Sequence, residues 1–290
     1  MSFLSLLAGD SQVAKVLGKG GPFLSRHRYR PMVFAKRDSG DFGRRGRGDG
    51  GEKGRGEAES GRRRGMTDSG ARIRRLFEIL RAKHGPQGWW PTTSRHGLEP
   101  LYRPGREGRR TDSRETFEII VGAILTQNTA WRNAAAALKN LKRNGLISPR
   151  EVWRCRNLEE LIRSAGYFNQ KADRLRCLAR DIESAGGIWR LRRRDSQELR
   201  KWFLERKGVG PETADSILCY GFQRPVFVVD AYTARLFRRE GIPFSGYEET
   251  RRMVEESLPA DSAILGDFHA LIVAEMKGGG NGAVRVSASR

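Results

Sequence analysis

The chain has 290 residues, with 55 lysines and arginines against 34 aspartates and glutamates, a formal net charge of +21. That balance suits a polyanionic partner and argues against a small cationic or apolar substrate. No apolar run reaches the roughly 18 residues of a membrane span, and Cys155, Cys177 and Cys219 are too scattered for a disulfide framework, so they read as reduced thiols of a cytoplasmic protein.

Residues 1–65 carry 15 basic and 7 acidic side chains, a net +8, which leaves +13 on residues 66–290. Within them, residues 38–65 contain one aromatic and no aliphatic beyond Ala58. Such a segment cannot bury enough apolar surface to offset its ordering entropy, so 1–65 is expected to be a disordered, basic Gly/Arg-rich extension. Met1 to Gly9 is apolar but short and lacks a basic start, which makes it a poor secretory signal. Patterned sequence begins at Met66, and a native start of translation there is an expectation that mass spectrometry checks. Apolar residues then recur at helical spacing over Glu115–Gln127, Ala130–Arg143, Asn157–Ala165, Gln170–Ala185, Ser196–Arg206, Pro211–Phe222, Ala231–Glu240, Tyr247–Ser257 and Ala263–Met276. Strand alternation is nearly absent, so the fold class is predicted as all-α, with residues 277–290 a flexible tail.

Between the fifth and sixth of these helices lies Lys207-Gly-Val-Gly-Pro-Glu-Thr-Ala214. Two glycines free the backbone for a tight hairpin and remove the Cβ from the path of a ligand, while Pro211 suits a first helical position. Backbone amides and a helix start facing outward together form a phosphate-binding arrangement that reads no base. The bland alternative, an ordinary helix connection, weakens because the apolar run Val226-Phe-Val-Val229 ends at Asp230, at the head of the next helix.

At these residues the chain resembles the helix-hairpin-helix DNA glycosylases of the endonuclease III superfamily, most closely the 3-methyladenine DNA glycosylases related to endonuclease III. Leu125-Thr-Gln-Asn-Thr129, Gly166-Tyr-Phe-Asn-Gln-Lys-Ala172, Lys207 to Tyr220, Val228-Val-Asp230 and Phe268-His-Ala-Leu-Ile-Val273 carry the likeness, in the family's order and within about 67–275. The resemblance implies a two-lobed fold over residues 66–276: a helical barrel at about 114–222 and a second lobe built from both chain ends, about 67–113 plus 225–276. It also implies a monomer acting on double-stranded DNA with a damaged base, associated with the nucleoid. Many relatives hold an iron-sulfur cluster through four cysteines after the last helix; residues 277–290 contain none, so no cofactor is expected.

Hydrolysis of an N-glycosidic bond leaves an oxocarbenium-like sugar, which a carboxylate stabilises while it orients water. Asp230 matches the family's catalytic aspartate, with a helix N-cap as its plain structural role. Glu212 stands where bifunctional relatives carry a Schiff-base lysine, so the resemblance implies a monofunctional enzyme, and Glu212 is expected either to line the base pocket or simply to serve as a first-turn helix acid. Trp89 and Trp90 offer stacking faces for an extruded base, unless they anchor the N-terminal segment. Gln127 and Asn128 are candidates to enter the gap in the duplex, with a polar cap at the end of the first barrel helix as the competing reading. Asn169, Lys171, Lys207, Gly208, Val209 and Gly210 are the remaining candidate DNA contacts, Asn169 with backbone near Asp230 as its alternative partner. No acid is present at Ala123, where adenine-mismatch glycosylases carry a glutamate. A bifunctional lyase and a non-enzymatic helix-hairpin-helix binding module are the competing readings.

Overall fold

The computed structural model describes the backbone of residues 53–278 and the side chains of residues 68–278. The rest of the expected 1–65 extension and nearly all of the 277–290 tail lie outside the described residues. From residue 64 the described chain forms one compact unit. Its first helix, α1 (Lys53–His84), places Ile73, Leu76, Phe77 and Leu80 on one buried stripe. The backbone of 53–65, within the extension that the sequence reads as disordered, lies in this helix. Each further residue of an established helix adds a hydrogen bond without a new nucleation cost, which allows it to extend into weak helix formers.

Two short strands, β1 (Thr92–Thr93) and β2 (Pro100–Leu101), pair antiparallel. The buried centre of the first lobe is α2 (Ser113–Leu125), where Ile120, Ile124 and Leu125 are fully enclosed. Asp112 opens it with a capping box, accepting from Glu115 N at 2.7 Å. Around α2 run α3 (Trp131–Arg143), α4 (Pro149–Arg154), α5 (Leu158–Leu161) followed by a 3-10 turn at Arg163–Ala165, α6 (Phe168–Ser184), α7 (Gly187–Leu191), α8 (Ser196–Leu204) and α9 (Pro211–Ser216). Helix α9 opens into a π-helical turn at Ile217–Gly221. One apolar core joins side chains from Phe117 to Val226 in this lobe.

A second core joins Ile73 to Leu80 of α1 with Phe227 to Val273. It contains α10 (Ala231–Arg239), α11 (Tyr247–Ser257) and α12 (Ser262–Gly278), the last buried along most of its length. Both chain ends of the compact unit therefore meet in the second lobe. Trp90 packs on the first core and Trp89 on the second, and both touch a small cluster of Ile119, Cys219, Tyr220 and Val228. Gly266 permits this approach of the lobes: a Cβ there would stand 3.0 Å from the Tyr220 ring and 3.2 Å from Cys219 Sγ. Among the described residues no helix is long and apolar enough to cross a membrane.

Candidate active site

A cleft where the lobes meet encloses about 710 Å³ of space, part of it open to solvent. Trp89, Trp90, Tyr102 and Trp131 supply aromatic walls, and Glu212, Asp230 and His269 supply ionisable groups. Trp89 and Trp90 meet edge to face with centroids 6.0 Å apart; Trp89 stands 6.3 Å from Tyr102, and Trp90 stands 5.9 Å from Trp131. The two tryptophans thus anchor the N-terminal segment and line the cleft at once. Tyr102 and Trp131, absent from the sequence expectations, extend the same aromatic surface.

Asp230 likewise occupies the cap position and lines the cleft. It caps α10, with Oδ1 accepting from Thr233 N at 2.7 Å and from Thr233 Oγ1 at 3.0 Å. Its Oδ2 lies 3.5 Å from His269 Nε2. Burial by itself would raise the Asp230 carboxyl, but His269 and Thr233 outweigh burial and hold it below the usual aspartate range. His269 Nδ1 in turn lies 2.7 Å from the Tyr220 hydroxyl, which also donates to Gly266 O at 2.8 Å. Residues 220 and 269 appear in the sequence only as parts of matching segments; their link to Asp230 depends on the π turn and on α12 crossing it.

Glu212, half-buried on the first turn of α9, shares the cleft with Asp230. Burial chiefly, and the charge on Asp230 next, push its carboxyl up to about 8. The two environments thus push the carboxyls apart, Asp230 toward its charged form and Glu212 toward its neutral form. Lys277 also lines the cleft and is the only amine among the described lining residues. The sequence reading assigned position 277 to a tail and missed it.

The candidate DNA contacts divide. Asn128 and Asn169 are exposed, Asn128 with a left-handed φ of 52°. Asn169 is not among the partners of Asp230, which are Thr233 and His269. Lys207 projects from the hairpin and pairs with Asp173 at 3.0 Å. Gly208 takes φ +80°, and a Cβ there would meet Arg174 Cδ at 2.4 Å. Gly210 caps α9 in an extended conformation with open space beside it.

Three expectations are corrected. Lys171 is 1% exposed, so it is no phosphate contact: its ammonium donates to Leu125 O at 2.8 Å, Thr129 Oγ1 at 2.7 Å and Ala165 O at 2.7 Å. Burial, and the charge of Arg174 after it, draw its pKa down to about 8. Val209 is 6% exposed in the first core and its amide donates to Arg206 O at 3.0 Å, so the free hairpin amide expected there is bonded within the protein. The Gln127 side chain is committed to protein: Nε2 donates to Gly208 O at 2.9 Å and Thr213 Oγ1 at 3.0 Å, and Oε1 accepts from Arg174 at 2.7 Å. It fixes the hairpin to the end of α2.

The cysteines do not assemble a ligand set. Cys219 is buried with Sγ 3.7 Å from Ser262 O, while Cys155 and Cys177 are half-buried on α4's end and on α6. A four-cysteine cluster does not fit the residues of this chain, and no chemistry is assigned to one.

A family model described as HhH-GPD superfamily base excision DNA repair protein matches residues 121–260. The chain is 38% identical over 212 residues to a Methanocaldococcus jannaschii protein provisionally named DNA repair glycosylase, covering 71% of this chain and 87% of the relative. It is 31% identical over 167 residues to endonuclease III of Thermotoga maritima, covering 56% and 73% of the two chains. Among solved structures it is similar to the H. pylori 3-methyladenine DNA glycosylase bound to 1,N6-ethenoadenine, with 27% identity and a TM-score of 0.55 over 70% of this chain and 97% of that one.

Proposed function

Since the chain belongs to the HhH-GPD superfamily of base excision DNA repair glycosylases, we propose that it is a monofunctional DNA glycosylase hydrolysing the N-glycosidic bond of an alkylated base. The observation that carries this reading is the pair of carboxyls, Asp230 and Glu212, lining one aromatic cleft. The extruded base stacks among Trp89, Trp90 and Tyr102, where each good aromatic face contributes about 1–3 kcal/mol. A cationic alkylpurine suits such faces and departs as a neutral base, so its C1′–N bond breaks with little acid assistance. The Glu212 hydroxyl donates to an acceptor on the base edge. Asp230 stabilises the positive sugar left behind and orients a water molecule, whose oxygen bonds to C1′ while its proton passes through Asp230 to solvent. The products are the free base and an abasic site. The alkylated purines printed for the H. pylori neighbour, 3-methyladenine and 1,N6-ethenoadenine, support this substrate class.

DNA enters through the hairpin Lys207 to Gly210 and the two exposed turns at Asn128 and Asn169. Tyr167, 65% exposed with φ 46°, stands between Gly166 and α6 beside them and supplies the aromatic surface for the strand opposite the extruded base. One observation favours a second reading. Lys277 brings an amine to the cleft, and an amine there gives a lyase its nucleophile.

The experiment is excision from duplexes carrying single 3-methyladenine, ethenoadenine or oxidised lesions, with and without alkali, with borohydride trapping alongside. Strand cleavage only after alkali, abolished by Asp230→Asn, is expected. A borohydride-trapped adduct that disappears in Lys277→Ala overturns the monofunctional reading, and release of only oxidised bases overturns the substrate class.

A further inference from the structure

At the opposite end of α2 from the hairpin, the end of α7 and the turn after it carry Arg190, Arg192, Arg193 and Arg194, with Arg110 and Arg224 beside Arg192. Arg224 Nη2 donates to the carbonyls of Arg192 and Arg194, both at 2.8 Å. Arg192 donates to Gln223 Oε1 at 3.0 Å, Thr116 Oγ1 at 2.7 Å and Thr111 O at 3.1 Å, all neutral acceptors. Burial first, then the charges of Arg110 and Arg224, pull Arg192 below its ordinary value. Among the described residues none of these six guanidinium groups forms an ion pair. Two carboxylates stand nearby as helix caps, Asp112 accepting from Glu115 N at 2.7 Å and Asp195 from Glu198 N at 2.8 Å, and the charge of Asp112 offsets part of the repulsion on Arg192. Trp189, 60% exposed, carries the Arg193 guanidinium 5.1 Å from its ring centroid.

Position separates this face from the hairpin that meets DNA in the proposed function. Arg192 bonds to Thr111 and Thr116, at the N-terminal end of α2, whereas Asn128 and the hairpin lie at the other end of that 13-residue helix, about 20 Å away at 1.5 Å per residue. Six guanidinium groups beside two carboxylates leave a net excess of like charge, whose self-repulsion a line of phosphates relieves and an apolar or cationic partner does not. Guanidinium forks suit phosphate oxygens in a bidentate mode, and contacts to phosphate carry no base preference.

We propose that the Trp189 and arginine face is a second DNA site, holding the phosphodiester backbone of one segment while the cleft holds another. The protein then joins two duplexes, and passes between DNA segments without full dissociation.

The test uses the full chain and two short undamaged duplexes labelled with donor and acceptor dyes, so its outcome is independent of which lesion the cleft excises. Wild type is expected to give energy transfer between duplexes at low salt, and Arg110→Glu/Arg190→Glu/Arg193→Glu is expected to lose it while retaining binding of one duplex. A neutral version, Arg110→Gln/Arg190→Gln/Arg193→Gln, compared with wild type by melting temperature, guards against a variant that does not fold. Its salt slope for joining should fall by about 3, at roughly 0.9 for each phosphate no longer neutralised. Energy transfer at the wild-type level in both variants assigns joining to another surface, such as basic residues 1–65, and overturns the proposal. No transfer by wild type overturns it as well.

Discussion

Glu212 shows how one side chain decides between reaction classes. Its carboxyl is neutral below about 8 and ionised above, so single-turnover excision that relies on its proton falls as pH rises through that value. Glutamine keeps a donor but has no proton to transfer. Glu212→Gln is therefore expected to lower excision of a neutral lesion such as ethenoadenine by about 100-fold or more, the range of general-acid assistance, and to spare a cationic alkylpurine. Equal losses on both lesions would place Glu212 in shape recognition alone. The sign of its effect on folding is also fixed. Since the folded value lies above the ordinary 4.5, its favourable contribution is complete below that pH and is lost as pH rises through about 8. The melting temperature of Glu212→Gln should accordingly gain on wild type between pH 5 and 9. Lys171 carries a different weight, because three acceptors from separate turns depend on its ammonium. Lys171→Met strips Leu125 O of its side-chain donor, while Thr129 Oγ1 and Ala165 O still bond to each other, a loss on the order of 1–3 kcal/mol in chemical denaturation.

The hairpin between α8 and α9 is held from outside by Gln127 and Arg174, and Gly208 has no space for a side chain. Gly208→Ala pushes Arg174 away and places a Cβ at positive φ, which together should displace the backbone that meets phosphate. The expected result is weaker DNA affinity, by about tenfold, with the rate of excision at saturating enzyme unchanged; an equal loss in that rate would argue that the hairpin also orders the cleft. The hairpin, the helices flanking it and the cap position of Asp230 were legible in the sequence because glycine, proline and helical spacing are local signals. The capping box Ser148-Pro-Arg-Glu151 was equally local, and α4 begins there, although periodicity over so short a helix was too weak to reveal it. Tyr220, His269, Tyr102 and Lys277 were not legible as site residues, since their meeting depends on a π turn and a helix crossing. Lys171 misled for the opposite reason: a lysine in a polar motif reads as surface until three carbonyl and hydroxyl groups are found around it.

The cleft exists only while the two lobes keep their relation, and one buried cluster joins them outside it. Asp215 on α9 is fully buried and accepts from Arg200 Nε of α8 at 2.7 Å and from the Tyr247 hydroxyl of α11 at 2.8 Å. Arg200 continues to Glu248 on α11 at 2.6 Å, and Arg251 of the same helix approaches Asp215 at 3.9 Å. Two arginines and a tyrosine from both lobes thus converge on one carboxylate. Removing that carboxylate leaves the partners desolvated and unpaired, which in buried pairs costs about 3–5 kcal/mol. Asp215→Ala should therefore lower unfolding free energy by that order. It should also slow excision, because Asp230 on the second lobe and Glu212 on the first lose their fixed separation. Asp215→Asn retains the acceptor for Tyr247 and half the bonding to Arg200, so it should fall between wild type and alanine on both measures. If Asp215→Ala lost stability but excised at the wild-type rate below its melting temperature, the cluster would be a fastener for the hairpin helices alone. The alignment of the two carboxyls would then rest on Tyr220, His269 and the close approach at Gly266.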